Sequence, residues 1–503
     1  MMPGCGPVRR DRGRWPTFAP VVTAAPPIEV GERPAHVFGR PVAYKYIVAA
    51  VFSVAMFLDI LDTTIVNVAL KTIGEELRTD ALEWVVLGYT LSLAVWIPAS
   101  GWLGDRFGTK RTFVTALVLF VGGSMLCGTA QTIGQLVAFR IAQGVGGGML
   151  TPIGVAMLFR AFPPIERARA ATIVMIPTLV APALGPVLGG LITETIGWRW
   201  IFLVNVPVGV AAVVFGWRYL REHTEPTAGP FDVPGFVLSG YGLAAIVFAM
   251  NEGPRLGWTS PSVLVFGFTG LAAFALLVRV ETRQRAPMLA LRLLRDRLFR
   301  ASNVVMFFAM AAFLGLTFAL PLYLQTLRGL DPFESGLTTF PQAIGILISS
   351  QIAGRIYGRV GPRRLVLFGM VGAAVTAFTF ATISMTTDLW TIRVIVFVRG
   401  FCMGFTFVAV QAASYARIAP SDNGRASAIF STQRQMAVSL GIAVVATILS
   451  SFMPLGQVPE DVARAVTGYR WAFAASGVLA VAAAAAALMV RDEDAAATMH
   501  RAP

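Results

Sequence analysis

The sequence predicts an all-α integral membrane protein with two six-helix bundles and two further transmembrane helices inserted between them. Three observations predict this fold class: a low charged fraction, recurrent apolar runs of about twenty residues, and an internal repeat. Only 14% of the 503 residues are charged, 56% are hydrophobic, and the mean hydropathy is +0.69. A water-soluble enzyme has a charged fraction nearer a quarter, so we expect a membrane protein.

The apolar runs predict fourteen transmembrane helices, each long enough at about 1.5 Å per residue to cross about 30 Å of hydrocarbon. The predicted spans are 46–66, 83–102, 112–130, 134–158, 170–192, 200–219, 235–251, 261–278, 300–324, 336–354, 364–384, 389–415, 426–450 and 470–490. The seventh and eighth spans are the inserted pair, because six spans precede them and six follow.

The two ends of the chain and the basic residues predict its orientation. Residues 1–43 are rich in Pro, Gly and Arg without a continuous apolar segment, which predicts a disordered tail. Most of the 41 Lys and Arg residues fall in loops on one side of the predicted helices, and such loops are cytoplasmic. We therefore expect a multi-pass protein of the cell (inner or plasma) membrane, with both ends, including a tail at 492–503, in the cytoplasm. The net charge of +14 follows from this topology and does not predict nucleic-acid binding.

Repeated segments indicate that the chain consists of two related halves. Three pairs recur in the same order: 101–111 with 354–364, Arg140 with Arg399, and 197–202 with 468–473. Their spacing predicts an N-terminal bundle at 44–219, a linker with two helices at 220–297, and a C-terminal bundle at 298–491. Parallel halves of this kind bind a substrate between them and rock to open on each side in turn.

Six motifs resemble those of one transporter family. They are "LDTTIVNVAL" (61–70), "GWLGDRFGTKR" (101–111), "RIAQGVGGG" (140–148), "GPVLGG" (185–190), "WRWIFLVNVPVG" (198–209) and "RQMAVSLGIAV" (434–444). In this order they resemble the major facilitator superfamily, and within it the fourteen-span drug:proton antiporters of the EmrB/QacA type. Lys71 departs from the family pattern, which commonly has Pro there, and Gly358 stands in the second loop where the first has Asp105.

The resemblance implies a proton-coupled antiporter that exports amphipathic drugs or toxic compounds from the cytoplasm by alternating access. Such a protein is not an enzyme; its partners are a small-molecule substrate, protons and the lipid bilayer. It needs no cofactor beyond the proton gradient and no metal, and we expect a monomer. The sequence leaves open a second interpretation, a dedicated exporter of one endogenous product such as an antibiotic, siderophore or lipid.

Charged residues inside the predicted spans are candidate functional residues, because an unpaired charge in hydrocarbon is costly. Asp59 and Asp62 lie about one helical turn apart in the first span, and Arg140 lies at a similar depth in the fourth. A carboxyl group in a cavity whose hydration changes could load and release a proton. The family's first-span acid and fourth-span arginine fall on Asp62 and Arg140. The alternative is a static ion pair that joins the two helices.

The loop 101–111 combines glycines with one acid among basic residues. The candidate residues of this predicted cytoplasmic gate are Gly101, Asp105, Arg106, Gly108, Lys110, Arg111 and, in the second half, Arg425. The glycines permit close helix approach, and the basic residues suit an anionic membrane surface. In this superfamily the corresponding acid is thought to hold the halves together. We expect Asp105 near the helix N-terminus at 423–427 when the protein is open outward; the alternative is a loop that only fixes topology.

The remaining candidates belong to one motif and to a predicted cavity. The motif residues Gly185, Pro186, Gly189 and Gly190 resemble the antiporter signature of exporters, although they also suit a simple packing kink. The predicted cavity residues are Asn67, Tyr89, Trp96, Gln143, Arg399 and Arg434. Cys5, Cys127 and Cys402 are scattered and predict neither a disulfide nor a metal site.

Overall fold

The computed structural model of the protein describes residues 35–37, 40–78, 82–225, 229–284, 287–453 and 461–499. A short antiparallel hairpin, β1 (Ala35–Val37) and β2 (Arg40–Val42), belongs to a unit of its own at the start of the chain. The end of the expected disordered tail is therefore a hairpin. The rest of that tail, residues 1–34, lies outside the described residues.

The other described elements are helical and form three consecutive groups along the chain. The N-terminal group is α1 (Tyr44–Leu77), α2 (Glu83–Phe107), α3 (Thr109–Gly128), α4 (Ile133–Ala161), α5 (Arg167–Thr195), α6 (Trp200–Leu203) and α7 (Asn205–Tyr219). The inserted pair is α8 (Val233–Leu256) and α9 (Pro261–Glu281). The C-terminal group is α10 (Arg297–Leu322), α11 (Pro332–Thr339), α12 (Pro341–Val360), α13 (Pro362–Phe380), α14 (Leu389–Ser414), α15 (Asn423–Phe452) and α16 (Val462–Ala487).

The described helices confirm an all-α membrane fold. Twelve helical segments are long and apolar enough to cross a membrane. Two further helices, α5 with 29 residues and α12 with 20, occupy predicted spans but are outside the twelve. The sequence of α12 includes two glutamines and two arginines, which lower its apolar character. The total of fourteen membrane crossings therefore stays a prediction.

Several helix boundaries differ from the predicted spans, and two of the differences have a clear local reason. The predicted span 336–354 is divided between α11 and α12, because Pro341 cannot continue a helix and instead begins the next one. The last helix starts at Val462, eight residues before the predicted span 470–490. The side chain of Asp461 accepts a hydrogen bond from the backbone N–H of Arg464 and caps the helix there.

The packing of the helices repeats between the two bundles. In the N-terminal bundle α2 packs on α4, and in the C-terminal bundle the corresponding α12 packs on α14. The bundles meet where α2 and α4 contact α15 and where α5 contacts α12 and α14. Helix α8 contacts both α2 and α15, so the inserted pair lies along one side of the seam between the bundles.

Candidate functional site

The two bundles are in close contact at one end, which we call the basic end because it has the loop 101–111. A Cβ atom added to Gly101 on α2 would lie only 2.6 Å from the carbonyl oxygen of Gly424 in the first turn of α15. Beside it, the Ser427 hydroxyl donates a hydrogen bond of 2.6 Å to the carbonyl oxygen of Pro152. Because Gly101 has no side chain, α2 and α15 pack backbone to backbone, and the protein is closed at this end.

Asp105 lies beside this contact and is buried. Its carboxylate oxygen Oδ1 is 2.9 Å from the position of a Cβ atom on Gly424, and its Oδ2 has no hydrogen-bond partner in the described part of the chain. The charges of Arg160 and Arg425 both act on this carboxylate. The structure thus brings Asp105 to residues 423–427. Its function as a gate stays a prediction.

The segment after α7 covers the outer side of the same loop. Gly108 has a φ of +98°, which favours glycine, and a Cβ atom there would lie 2.2 Å from Glu222 Oε1. The Glu222 carboxylate accepts hydrogen bonds from the backbone N–H groups of Lys110 (3.0 Å) and Arg111 (3.2 Å), in the first turn of α3. A carboxylate is stabilised at a helix N-terminus, so Glu222 caps the start of α3. The Arg106 side chain stays exposed.

Asp62 is the centre of a fully buried hydrogen-bond network. Its Oδ2 accepts from Arg140 Nη1 at 2.5 Å, and its Oδ1 accepts from the amides of Gln143 (2.8 Å) and Asn205 (3.1 Å). The Arg140 side chain also donates to the Val85 carbonyl oxygen at 3.1 Å. All these residues belong to the N-terminal bundle, so Asp62 is bound by partners that move with it.

Two residues of this network were placed differently, or missed, by the sequence analysis. Gln143 is not a cavity residue in this structure, because its side chain is fully buried and its amide is used to bind Asp62 and Arg140. Asn205 was missed, although a lone Asn in the apolar segment "FLVNVPVG" is a polar residue that needs a buried partner.

Asp59 has a different environment from Asp62. It is partly exposed, and its Oδ1 accepts a hydrogen bond from the Tyr89 hydroxyl. The charge that acts on it from the C-terminal bundle is Arg434 on α15. The guanidinium group of Arg140 stacks on the Tyr89 ring at 4.2 Å, which connects the two acids. Asp59 therefore has one hydrogen bond within its own bundle, from Tyr89, and one electrostatic interaction with the opposite bundle, with Arg434.

Arg399 is a buried arginine of the C-terminal bundle and is 2% exposed. It donates hydrogen bonds to Gln342 Oε1 (2.6 Å) and to the carbonyl oxygens of Ala312 (3.2 Å) and Phe313 (2.9 Å). None of these acceptors is charged. The buried cation is therefore solvated by dipoles alone.

The two remaining predicted cavity residues have different surroundings. Asn67 is exposed in the described structure. Trp96 packs on Phe236 of α8, with ring centroids 5.4 Å apart, and so belongs to the contact with the inserted helices and not to a cavity between the bundles. The sequence could not show this, because nothing in it tells which helix of the N-terminal bundle α8 packs against.

The motif at 185–190 brings α5 against α1. A Cβ atom at Gly185 would lie 2.2 Å from Thr64 Oγ1, whereas one at Gly189 would lie 3.0 Å from Ile65 and one at Gly190 would meet nothing within 4 Å. Helix α5 continues unbroken through the motif. The side chain of Pro186 lies outside the described residues.

An ion pair outside the spans joins the extension of α1 to the start of α6. Arg199 donates to the Glu76 carboxylate, and the Trp198 indole N–H donates to its Oε2 at 2.8 Å. These two hydrogen bonds, chiefly that of Arg199, hold the pKa of Glu76 below its ordinary value of about 4.5. The pair stabilises the packing of Trp198 in the buried cluster at this end.

The described residues form two helical bundles that meet around buried charges, with twelve helical segments long and apolar enough to cross a membrane. These features define a multi-pass membrane transporter and not an enzyme. The chain belongs to the major facilitator superfamily, whose sequence profile matches residues 52–442.

Two curated proteins and one solved structure show the extent of this similarity. The chain is 34% identical over 408 residues to a multidrug resistance protein B homolog of Mycobacterium tuberculosis, covering 80% of this chain and 76% of that protein. It is 30% identical over 398 residues to the putative multidrug resistance protein MdtD of Serratia proteamaculans, covering 79% and 83%. The crystal structure of the human organic anion transporter MFSD10 matches with a TM-score of 0.63 at 11% identity, covering 88% of this chain and 99% of that one. This last similarity concerns the fold alone.

Proposed function

We propose that this protein is a proton-coupled antiporter that exports amphipathic drugs or toxic compounds from the cytoplasm by alternating access. The names of the two relatives, both multidrug resistance proteins, support export of several compounds. The arrangement of buried charges supports coupling to protons. The basic loops support a cell membrane location with both termini in the cytoplasm.

The single observation that carries the proton coupling is the position of Asp59 between the bundles. Its cationic neighbour Arg434 belongs to α15, whereas its hydrogen-bond donor Tyr89 belongs to α2. When the bundles rock, the distance from Asp59 to Arg434 changes while Tyr89 stays with its own bundle. Loss of a nearby cation makes the ionised carboxylate less favourable, so Asp59 takes up a proton in one state and releases it in the other.

Asp62 has a positioning function in this mechanism. Its donors Arg140, Gln143 and Asn205 all belong to the same bundle as Asp62, so rocking leaves its surroundings unchanged. The network fixes Arg140 under the Tyr89 ring, and Tyr89 in turn orients the Asp59 carboxylate. The interpretation of Asp62 and Arg140 as a static pair thus becomes part of the mechanism, with Asp59 as the group that exchanges the proton.

The basic end supplies the barrier on the cytoplasmic side. With Gly101 against Gly424 and Asp105 buried beside them, the seam between α2 and α15 excludes substrate from that side. In the proposed cycle this contact opens to admit substrate from the cytoplasm. It closes again before the substrate leaves on the other side.

Transport by purified protein in liposomes tests the proposal. With an imposed pH gradient, the wild type should move a fluorescent lipophilic cation against its concentration gradient, and Asp59→Asn should lose this proton-driven movement. Asp59→Asn should keep downhill exchange of the same dye, because substrate binding does not need the exchanged proton. Accumulation by the wild type that does not depend on the pH gradient would contradict proton coupling.

A growth assay with a panel of dyes and antibiotics tests the breadth of export. Cells that express the wild type should tolerate several unrelated amphipathic compounds better than cells that express Asp59→Asn. Protection against none of the panel would instead favour the dedicated exporter of one endogenous product.

A further inference from the structure

Arg399 is a buried cation that has no acidic partner among the described residues. Its three hydrogen-bond acceptors are the amide oxygen of Gln342 and the backbone carbonyl oxygens of Ala312 and Phe313. No other charged side chain in the described part of the chain acts on it appreciably. A buried guanidinium without a counter-ion is unfavourable and indicates a function.

The first half of the protein shows which partner is missing. Arg140 on α4 contacts α1 through Asp62 and α2 through the Val85 carbonyl oxygen, with Tyr89 stacked on its guanidinium. Arg399 on the corresponding α14 contacts the corresponding α10 and α12, with the Phe313 ring 5.2 Å away. The two sites have the same plan, but the carboxylate is present only in the first.

The charges at the centre of the protein leave Arg399 without compensation. Asp62 is paired with Arg140, and Asp59 faces Arg434 across the seam. With both acids ionised, these four residues are neutral, and Arg399 remains as one net positive charge.

The side chains that contact Arg399 are partly exposed. From Ala301 to Leu322 no side chain of α10 is fully exposed, in contrast to the perimeter helix α9, where Phe268 is 70% exposed. The α10 side chains that are not buried, which include Phe313, are partly exposed. Gln342 is also partly exposed, so its amide oxygen can give way to another acceptor.

We infer that Arg399 and Gln342 form a subsite for an anionic group, such as a carboxylate, on an aromatic amphipathic substrate. The carboxylate replaces the Gln342 oxygen on the Arg399 guanidinium, and the aromatic part of the substrate packs on Phe313. This inference depends on the proposed export function and specifies a substrate class for it. In this proposal the two bundles have different functions. The N-terminal bundle provides the acids that bind the proton, and the C-terminal bundle provides the cation that binds the substrate.

Two dyes that differ in one charged group test this inference. Rhodamine B has a free carboxylate, and its ethyl ester is the same molecule without that charge. In liposomes the wild type should export both, and Arg399→Gln should lower kcat/KM for the acid by about tenfold or more, because it removes a charge-assisted hydrogen bond. The value for the ester should change by less than about twofold, because the ester has no carboxylate that could accept this hydrogen bond from Arg399.

Control variants separate recognition from folding. Arg393→Gln makes the same change near the N-terminal end of α14. This variant should leave export of both dyes unaffected. If Arg399→Gln fails to fold, Arg399→Lys tests the inference in its place. Lysine keeps the charge but lacks the planar guanidinium, so this variant should weaken export of the acid more than export of the ester. An equal loss of both dyes, or a wild type that exports only the ester, contradicts the inference while the proposed function stands. A wild type that exports neither dye contradicts both.

Discussion

Gly101→Ala should open the basic end. A Cβ atom at this position would lie 2.6 Å from the Gly424 carbonyl oxygen and 2.9 Å from its carbonyl carbon, both closer than real Cβ contacts. The obstacle is helix backbone, which cannot rotate away as a side chain can. Overpacking of this kind costs about 1 to 3 kcal/mol. Since the contact exists only in the closed state, the closed-to-open ratio should fall by roughly 5- to 150-fold.

Gly104 provides a matched control on the same helix, one turn away. A Cβ atom there would meet its nearest neighbours at 3.7 to 3.9 Å, which is ordinary van der Waals contact. Gly104→Ala should therefore leave the equilibrium unchanged.

Electron spin resonance distances between the bundles measure this equilibrium. Spin labels would be placed on cysteines at Ile165 and Arg359, two exposed positions at the basic end of opposite bundles, after replacement of the native cysteines. The wild type and Gly104→Ala should show a short distance as the main population, and Gly101→Ala a longer one. Identical distributions in all three proteins would refute the inference that backbone contact at Gly101 stabilises the closed state.

Three further predictions concern stability. Asp62→Asn leaves Arg140 buried without its counter-ion and should destabilise the protein by about 3 to 5 kcal/mol. Thermal unfolding in detergent measures this effect. The double variant Asp62→Asn, Arg140→Gln should recover part of the lost stability. Gly185→Ala should lower the melting temperature because its Cβ atom would lie 2.2 Å from a side-chain oxygen on α1, and equal melting temperatures for Gly185→Ala and Gly190→Ala would contradict this. Because the pKa of Glu76 is lowered, its ion pair with Arg199 stabilises the protein at neutral pH. This stabilisation is lost as the pH falls below about 4.5. The wild type should therefore lose more thermal stability on acidification than Glu76→Gln.

The sequence was sufficient to predict the fold class, and it placed Asp62 and Arg140 at similar depths in spans of one bundle. The apolar runs and the helical rise per residue give the depth of each residue in the membrane. Residues at the same depth in spans of one bundle can contact each other. The expectation that Asp105 lies near the start of α15 followed from the resemblance to the superfamily together with a helix-dipole argument. The packing of the inserted pair could not be predicted, because a lipid-facing helix such as α9 has no pattern that selects a neighbour.

The sequence left open which of the two acids is the better proton site. Asp59 and Asp62 are close in sequence and lie on one helix, so their depth and residue type are almost the same. They differ in exposure and in the bundle from which a cation acts on them, and both depend on the packing of the helices, including that of α15 against α2 and α4. Likewise, the resemblance between Arg140 and Arg399 was visible in the sequence, whereas the missing carboxylate at Arg399 required the positions of α10 and α12.

Proton release on substrate binding tests most directly whether Asp59 is the exchanging group. Purified protein in weakly buffered detergent solution would be mixed with a transported dye while a pH indicator reports released protons. The wild type and Glu76→Gln, a control acid outside the spans, should release protons in proportion to bound dye, and Asp59→Asn should bind dye without releasing any. Undiminished release by Asp59→Asn would contradict the account.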